Sequence, residues 1–184
     1  TAYTSVAAFN IGFGAKTACS SFGISGNGSW QKELKGQKAR ALEEQWRDVV
    51  LLIVDEISFI GRTFFARMHF RLQQGKSRYY SDTGQNPDKH TFGNISIILL
   101  GDFGQLEPID DLSMVDKETR PQDLRKDLRP RWKHMRFGRL LAEDFGEAFM
   151  LKRIHRSKES CLRLRDFACT KEDHAAWKQH DLDR

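Results

Sequence analysis

The chain has 184 residues, of which 39% are hydrophobic and 30% are charged, and its formal net charge is +5. This composition suffices for the core of one ordinary domain, and it excludes a membrane-embedded protein, a collagen and a low-complexity chain. The surplus of Lys and Arg permits an anionic partner such as nucleic acid without requiring one.

The first part of the chain is predicted to form a strand and then two helices. Residues 1–11 are predicted as a strand that runs into a Gly-rich turn, and residues 17–24 as the start of a short helix. Residues 25–29 are a Ser, Gly and Asn loop. Residues 31–47 carry apolar side chains at helical spacing, with Gly36 as a weak point in that helix.

Two apolar runs predict buried strands. Residues 49–54 are consecutive and mostly β-branched, which is typical of a strand covered on both faces in a parallel sheet. Residues 95–100 predict a second buried strand, and the polar residues 77–94 before it predict an exposed excursion. Helices that alternate with such strands indicate an α/β fold with a mostly parallel sheet.

Between the two strands, residues 62–74 are predicted to form an amphipathic helix that ends at Gly75. Three apolar side chains define its inward face: Phe65, Met68 and Leu72. Two arginines define its solvent face: Arg67 and Arg71.

The last third of the chain is less regular. Residues 110–130 are polar and irregular, and residues 131–143 are predicted as a helix. Residues 148–151 predict a short strand, and residues 170–173 resemble a helix start because Thr can cap and acids suit the first turn.

Asp55 and Glu56 follow the first buried strand directly. An acid at the tip of such a strand can hold Mg²⁺, and a second acid beside it can polarise the water that attacks a γ-phosphate. On its own, the pair is equally compatible with a strand that ends in a polar turn.

Gly101 and Asp102 end the second strand, and Gln105 follows in a loop that Pro108 restricts. A side-chain amide in the loop after the end of this strand can contact both a γ-phosphate and the attacking water. When this loop is taken alone, a hydrogen-bonded turn is the favoured explanation. Chemistry in α/β sheets sits at the carboxyl ends of strands, so the two motifs together indicate one phosphate site.

Two further segments contain residues that could contact a phosphate. In the basic segment 151–157, Arg153 or Arg156 could act as an arginine finger, although a solvated basic stretch is the common role of such residues. Residues 12–17 look like a phosphate loop, but Asn10 and Ala15 stand where its two glycines belong. We therefore do not expect a working phosphate loop there.

Taken in order, these motifs resemble the Pif family of superfamily 1 DNA helicases, with its RecD-like and Helitron-type branches. Residues 4–11 with 17–20 are similar to motif Ia, and residues 52–58 are similar to Walker B, motif II. Residues 100–108 are similar to motif III and residues 151–157 to motif IV.

The resemblance implies a RecA-like P-loop NTPase motor domain, truncated at both ends, and ATP-driven 5′-to-3′ translocation on single-stranded DNA with unwinding of duplex junctions. By the same resemblance Asp55 would bind Mg²⁺, Glu56 would activate water, Gln105 would sense the γ-phosphate, and Arg156 would reach it across the interdomain cleft. Four residues would lie near the DNA backbone: Thr4, Asn10, Thr17 and Ser20.

The chain departs from the family pattern at several positions. Ser5 replaces the usual Gly, Cys19 the usual His, Glu107 a Pro and Ser157 a Gln. The resemblance assigns residues 1–156 to the first motor domain and residues 157–184 to the start of the second. The family's phosphate loop belongs upstream of this chain, so we expect the isolated chain to neither bind ATP tightly nor hydrolyse it, and to aggregate through an exposed sheet edge.

Three alternatives remain open from the sequence: an inactive transposon-derived remnant, a nucleic-acid-binding module without ATPase activity, and an ATPase that is not a helicase.

The scattered cysteines, with no CxxC pair, favour a reducing intracellular compartment. The nucleus and the mitochondrion are both compatible with the family, no membrane association is expected, and the oligomeric state is undetermined. DNA repair, recombination and telomere maintenance are associations of the family.

Overall fold

The structure, a computed structural model, describes residues 1–25, 33–86, 89–117 and 119–151. The chain divides into two units, Thr1–Phe145 and Gly146–Arg184. The first unit contains α1 (Ser5–Ile11), α2 (Ala18–Ser21), α3 (Gln37–Trp46), β1 (Leu51–Val54), α4 (Arg62–Thr83), β2 (Ser96–Leu99) and α5 (Trp132–Glu143). Short 3₁₀ turns lie at Ile57–Phe59, Thr91–Asn94, Pro121–Asp123 and Arg129–Arg131. In the second unit residues 146–151 are exposed and irregular, so the short strand predicted at 148–151 is wrong.

The two strands pair in parallel, as the alternation of helices and strands predicts. The register runs from Leu51 opposite Ser96 to Val54 opposite Leu99. The extended residue Ala2 adds isolated parallel bridges to Asp55 and to Thr17. The α/β class with a parallel sheet is therefore confirmed.

The expectation that the strands are covered on both faces is wrong within the described residues. Leu52 and Val54 are buried, but their neighbours Leu51 and Ile53 are 48% and 45% exposed. On β2, Ile98 is the register partner of Ile53 and is itself 45% exposed. The helices of the described unit cover one face of the sheet and leave an apolar opposite face, which we call the open sheet face: Leu51, Ile53, Ile98 and Leu100.

The helix predicted at 62–74 is longer than expected, because Gly75 does not end it. A Cβ at Gly75 would lie 2.9 Å from the Trp46 side chain, so this glycine allows α3 and α4 to approach closely. The helix ends instead at Gly84, which adopts a left-handed conformation. The exposed excursion predicted from residue 77 is wrong in consequence, since Tyr80 and Phe92 are buried.

The predicted inward face of α4 is confirmed, and its predicted solvent face is wrong. Phe65, Met68 and Leu72 are fully buried. Arg71 is also buried, at 8% exposure, and Arg67 is half-buried. The segment before α3 covers this side of α4: Gln74 accepts a hydrogen bond from Leu34 N at 3.1 Å and donates one to Leu34 O at 2.7 Å.

The strand predicted at residues 1–11 is wrong, because the chain turns into α1 after three extended residues. The Thr4 hydroxyl accepts a hydrogen bond from Ala7 N at 3.1 Å and so caps that helix. The short helix α2 and the helix α5 are confirmed. The helix predicted from residue 31 begins later, at Gln37, after Gly36 with its positive φ.

Helices α4 and α5 pack closely at Gly138. A Cβ at this position would lie 2.0 Å from the carbonyl oxygen of Arg62, so the contact requires glycine. Buried side chains from α2, α3, β1, α4 and α5 then form one core. Among the residues described, no helix is both long enough and apolar enough to cross a membrane.

The open sheet face predicts self-association of the isolated chain. We expect the double variant Ile53→Thr with Ile98→Thr to lower the fraction of large species, because β-branched threonine keeps the strand preference while it reduces exposed apolar area. Size-exclusion chromatography with light scattering measures this. The control replaces Phe70, an exposed apolar residue on α4, with Thr. An equal reduction by both changes would contradict a role specific to the sheet.

Candidate functional site

Asp55 and Glu56 lie at the carboxyl end of β1, half-buried, as predicted. The Asp55 carboxylate accepts a hydrogen bond from Glu56 N at 2.9 Å through Oδ1. Glu56 has φ 59° and ψ 45°, the left-handed conformation, which costs an L-residue about 1–2 kcal/mol. Strain of this kind concentrates at functional sites, where surrounding contacts maintain it.

The ends of the two strands contact each other directly. Leu100 N donates to Val54 O at 2.8 Å, and Ile57 N donates to Leu100 O at 2.9 Å. Gly101 lies so close to this turn that a Cβ there would be 2.8 Å from Ile57 N. The sequence-based expectation that the two motifs follow neighbouring parallel strands is thus confirmed, and the second of these contacts holds the turn that contains Glu56.

Gln105 lies in the exposed loop that follows β2. Its backbone N donates to Asp102 O at 3.1 Å, and Asp102 Oδ1 accepts from Gly104 N at 2.9 Å. Asp102 therefore organises the turn, while the Gln105 side chain is open to solvent and to a ligand.

The four residues predicted to lie near DNA are on α1 and α2 or at their amino-terminal ends. Thr4 and Thr17 use their hydroxyls to cap these helices, with Thr17 Oγ1 accepting from Ser20 N at 3.3 Å. Asn10 and Ser20 are exposed. The bridges of Ala2 to Thr17 and Asp55 bring the start of α2 to the same edge as the acids. Arg156 lies outside the described residues.

Residues 12–17 form a turn between α1 and α2. Ala15 N donates to Gly12 O at 2.9 Å, and Lys16 Nζ donates to Gln45 Oε1 on α3 at 3.4 Å. Lys16 is exposed and reaches α3 through this contact, and the absence of a working phosphate loop in this segment stays a prediction.

Asp111 is a structural anchor of the site that the sequence analysis missed. Its carboxylate accepts hydrogen bonds from the backbone N atoms of Thr63, Phe64 and Leu112 and from the Thr63 hydroxyl, all at 2.9–3.3 Å. Burial raises the pKa of Asp111, although these hydrogen bonds oppose the shift. One feature of the sequence could have indicated that α4 is capped by a residue from elsewhere in the chain. Gly61 precedes α4 and has no side chain with which to cap it.

The donor set at the strand ends fits Mg²⁺ bound together with nucleotide phosphates. Within the described residues no group of three or more His, Cys, Asp or Glu side chains could hold a metal ion by itself. Magnesium normally takes one or two carboxylates, several waters and substrate phosphates. Asp55, with Glu56 beside it, would supply the protein's share of such a set.

Comparison with known proteins identifies helicases as relatives. The PIF1-like helicase family matches residues 1–144. The ATP-dependent DNA helicase PIF1 of Xenopus laevis is 32% identical over 119 residues, which are 64% of this chain and 17% of that protein. The chain thus spans a small part of this relative's length.

Two solved structures from Bacteroides share the fold. Pif1 helicase in complex with ADP-AlF3 and ssDNA gives a TM-score of 0.56 at 23% identity, and the match covers 94% of this chain and 37% of that one. Unliganded Pif1 gives a TM-score of 0.54 at 20% identity, covering 95% of this chain and 37% of that one. These likenesses identify the fold as that of Pif1 RecA-like domains.

Asp111→Asn should lower the free energy of unfolding by about 1–3 kcal/mol, the cost of leaving buried donors unsatisfied. The new amide NH₂ would face N–H donors and cannot accept from them. Urea denaturation followed by circular dichroism measures the loss. The control is Asp110→Asn, since Asp110 makes an exposed ion pair with Arg125. Equal stability of the two variants would contradict the anchoring role.

Proposed function

The chain belongs to the PIF1-like helicase family, and we propose that it forms most of the first motor domain of an ATP-dependent DNA helicase. In this proposal the whole protein translocates 5′ to 3′ on single-stranded DNA and unwinds duplex junctions. The observation that carries the proposal is the direct hydrogen bonding between the two acidic strand ends, Ile57 N to Leu100 O at 2.9 Å. This contact fixes an acidic pair and an exposed amide loop at one edge of a parallel sheet.

Three residues at this edge have separate roles in the hydrolysis of ATP. Asp55 would hold Mg²⁺, and the positive charge of the ion would offset the negative charge of the phosphate oxygens. Glu56 orients and deprotonates the attacking water. Gln105, open to solvent on the neighbouring loop, contacts the γ-phosphate and transmits its presence to the DNA-binding side.

The DNA side consists of the residues at α1 and α2. Exposed Asn10 and Ser20, with Thr4 and Thr17 at the helix starts, contact the sugar-phosphate backbone without reading sequence. The Bacteroides Pif1 structure, which contains ADP-AlF3 and ssDNA, is a fold relative that binds both kinds of ligand.

Arg156, which lies outside the described residues, is proposed to reach the γ-phosphate across the cleft between motor domains. Residues 1–156 are proposed to belong to the first domain, and residues 157–184 to the start of the second.

We further propose that another part of the full protein covers the open sheet face. The protein is proposed to act in the nucleus or the mitochondrion.

Glu56→Gln in the full-length protein should reduce ssDNA-stimulated ATP hydrolysis by at least about 100-fold, since general-base catalysis contributes about 10²–10⁴. Mg-ATP binding should remain, because the amide keeps the size of the carboxylate. A phosphate-release assay measures turnover, and a fluorescent ATP analogue measures binding.

The matched control for this variant is Glu44→Gln, an exposed position on α3. It should keep wild-type turnover. Unchanged hydrolysis in Glu56→Gln, or an equal loss in both variants, would contradict the role assigned to Glu56.

A further inference from the structure

The Arg67 side chain is half-buried on α4, and its buried Nε has no acceptor among the described residues. None of the ion pairs found in the described ranges includes Arg67. Buried polar atoms in proteins nearly always have a partner, and burying charge without one is costly. The Nε itself is closed to solvent, so an acceptor from outside the domain would contact the other N–H groups of this half-buried side chain.

Further positive charge surrounds this guanidinium. Arg71 lies one turn along the same side of α4, and Arg131 lies in the 3₁₀ turn that leads into α5. Burial lowers the pKa of Arg67, and the fields of Arg71 and Arg131 lower it further. Three cations at the junction of two helices attract an anion.

The other arginines of the basic segment 125–133 are engaged within the fold. Arg125 pairs with Asp110 at 2.8 Å and with Asp127 at 3.2 Å. Arg129 donates to the backbone oxygens of Leu124 and Gln122, each at 3.1 Å. These arginines already have acceptors, which separates them from Arg67.

Cys19 on α2 is exposed, and the positive charge of Arg67 opposes the rise that partial burial causes in the pKa of its thiol. Cys19 itself provides no positive charge for a phosphate, whereas a guanidinium presents parallel N–H donors that match phosphate oxygens.

We propose that Arg67, with Arg131 beside it, binds a backbone phosphate of single-stranded DNA at the junction of α2, α4 and the start of α5. This inference rests on the proposed DNA-binding function and adds a contact on α4 to those at α1 and α2. The contact is made to the backbone, so it is independent of base sequence.

The test measures binding of a fluorescein-labelled oligo-dT by anisotropy, over a series of salt concentrations, to the monomeric fraction of the 184-residue chain isolated by size-exclusion chromatography. Arg67→Gln should weaken binding about tenfold, the value of a charge-assisted hydrogen bond. It should also reduce the slope of log affinity against log salt by about 0.7, the contribution of one single-strand phosphate. The matched control is Arg78→Gln, which removes the same charge from an exposed position on α4.

The melting temperature provides the second readout. Because the buried Arg67 Nε has no acceptor among the described residues, Arg67→Gln should unfold at the wild-type temperature or above it. If this variant does not fold, Arg131→Gln replaces it, with the same loss of affinity and slope expected.

The outcomes separate the two proposals. Binding by Arg67→Gln equal to that of Arg78→Gln would overturn the Arg67 contact and leave the helicase proposal intact. Failure of the wild-type chain to bind oligo-dT would overturn the proposed DNA side at α1 and α2, and the Arg67 contact with it.

Discussion

Parallel hydrogen bonding between β1 and β2 is the interaction on which the candidate site depends. Parallel strands end at the same edge of a sheet, so the pairing of Val54 with Leu99 places the residues that follow each strand side by side. The extended residue Ala2 continues this arrangement through its bridges to Asp55 and Thr17. The acids, the amide loop and the start of α2 thereby share one edge, although they come from separated parts of the chain.

Two further contacts hold the loops at this edge in place. Asp111 follows the Gln105 loop in sequence and hydrogen-bonds to Thr63 and Phe64 at the start of α4. Gly101 permits the close approach of the second strand end to Ile57. Since α4 follows the Asp55–Glu56 turn, a displacement of one loop is mechanically connected to the other. This arrangement suits a site in which one loop detects a phosphate and the other supplies the reacting groups.

Periodicity and residue type were sufficient for the elements that local rules determine. The apolar run at residues 49–54 correctly predicted a strand, though not its exposed face. The spacing of Phe65, Met68 and Leu72 correctly predicted a buried helix face, because helical periodicity follows directly from burial.

The errors arise where tertiary contacts override local preference. Gly75 resembles a helix end, but close packing against Trp46 keeps it inside α4. Thr4 caps a helix in a segment whose composition favours a strand. The left-handed Glu56 and the distant cap from Asp111 have no local pattern, since both depend on contacts formed only in the folded chain. The Arg71 side chain was assigned to solvent because the covering segment around Leu34, which hydrogen-bonds to Gln74, lies far away in sequence.

The central claim is that this edge is part of the ATP site of a DNA-unwinding motor. The most direct measurement is strand separation by the full-length protein on two forked or tailed duplexes, one with a 5′ single-stranded tail and one with a 3′ tail, with and without Mg-ATP. The account predicts unwinding of the 5′-tailed duplex only, and only with Mg-ATP. Strand separation on neither substrate, or separation that does not require Mg-ATP, would contradict it.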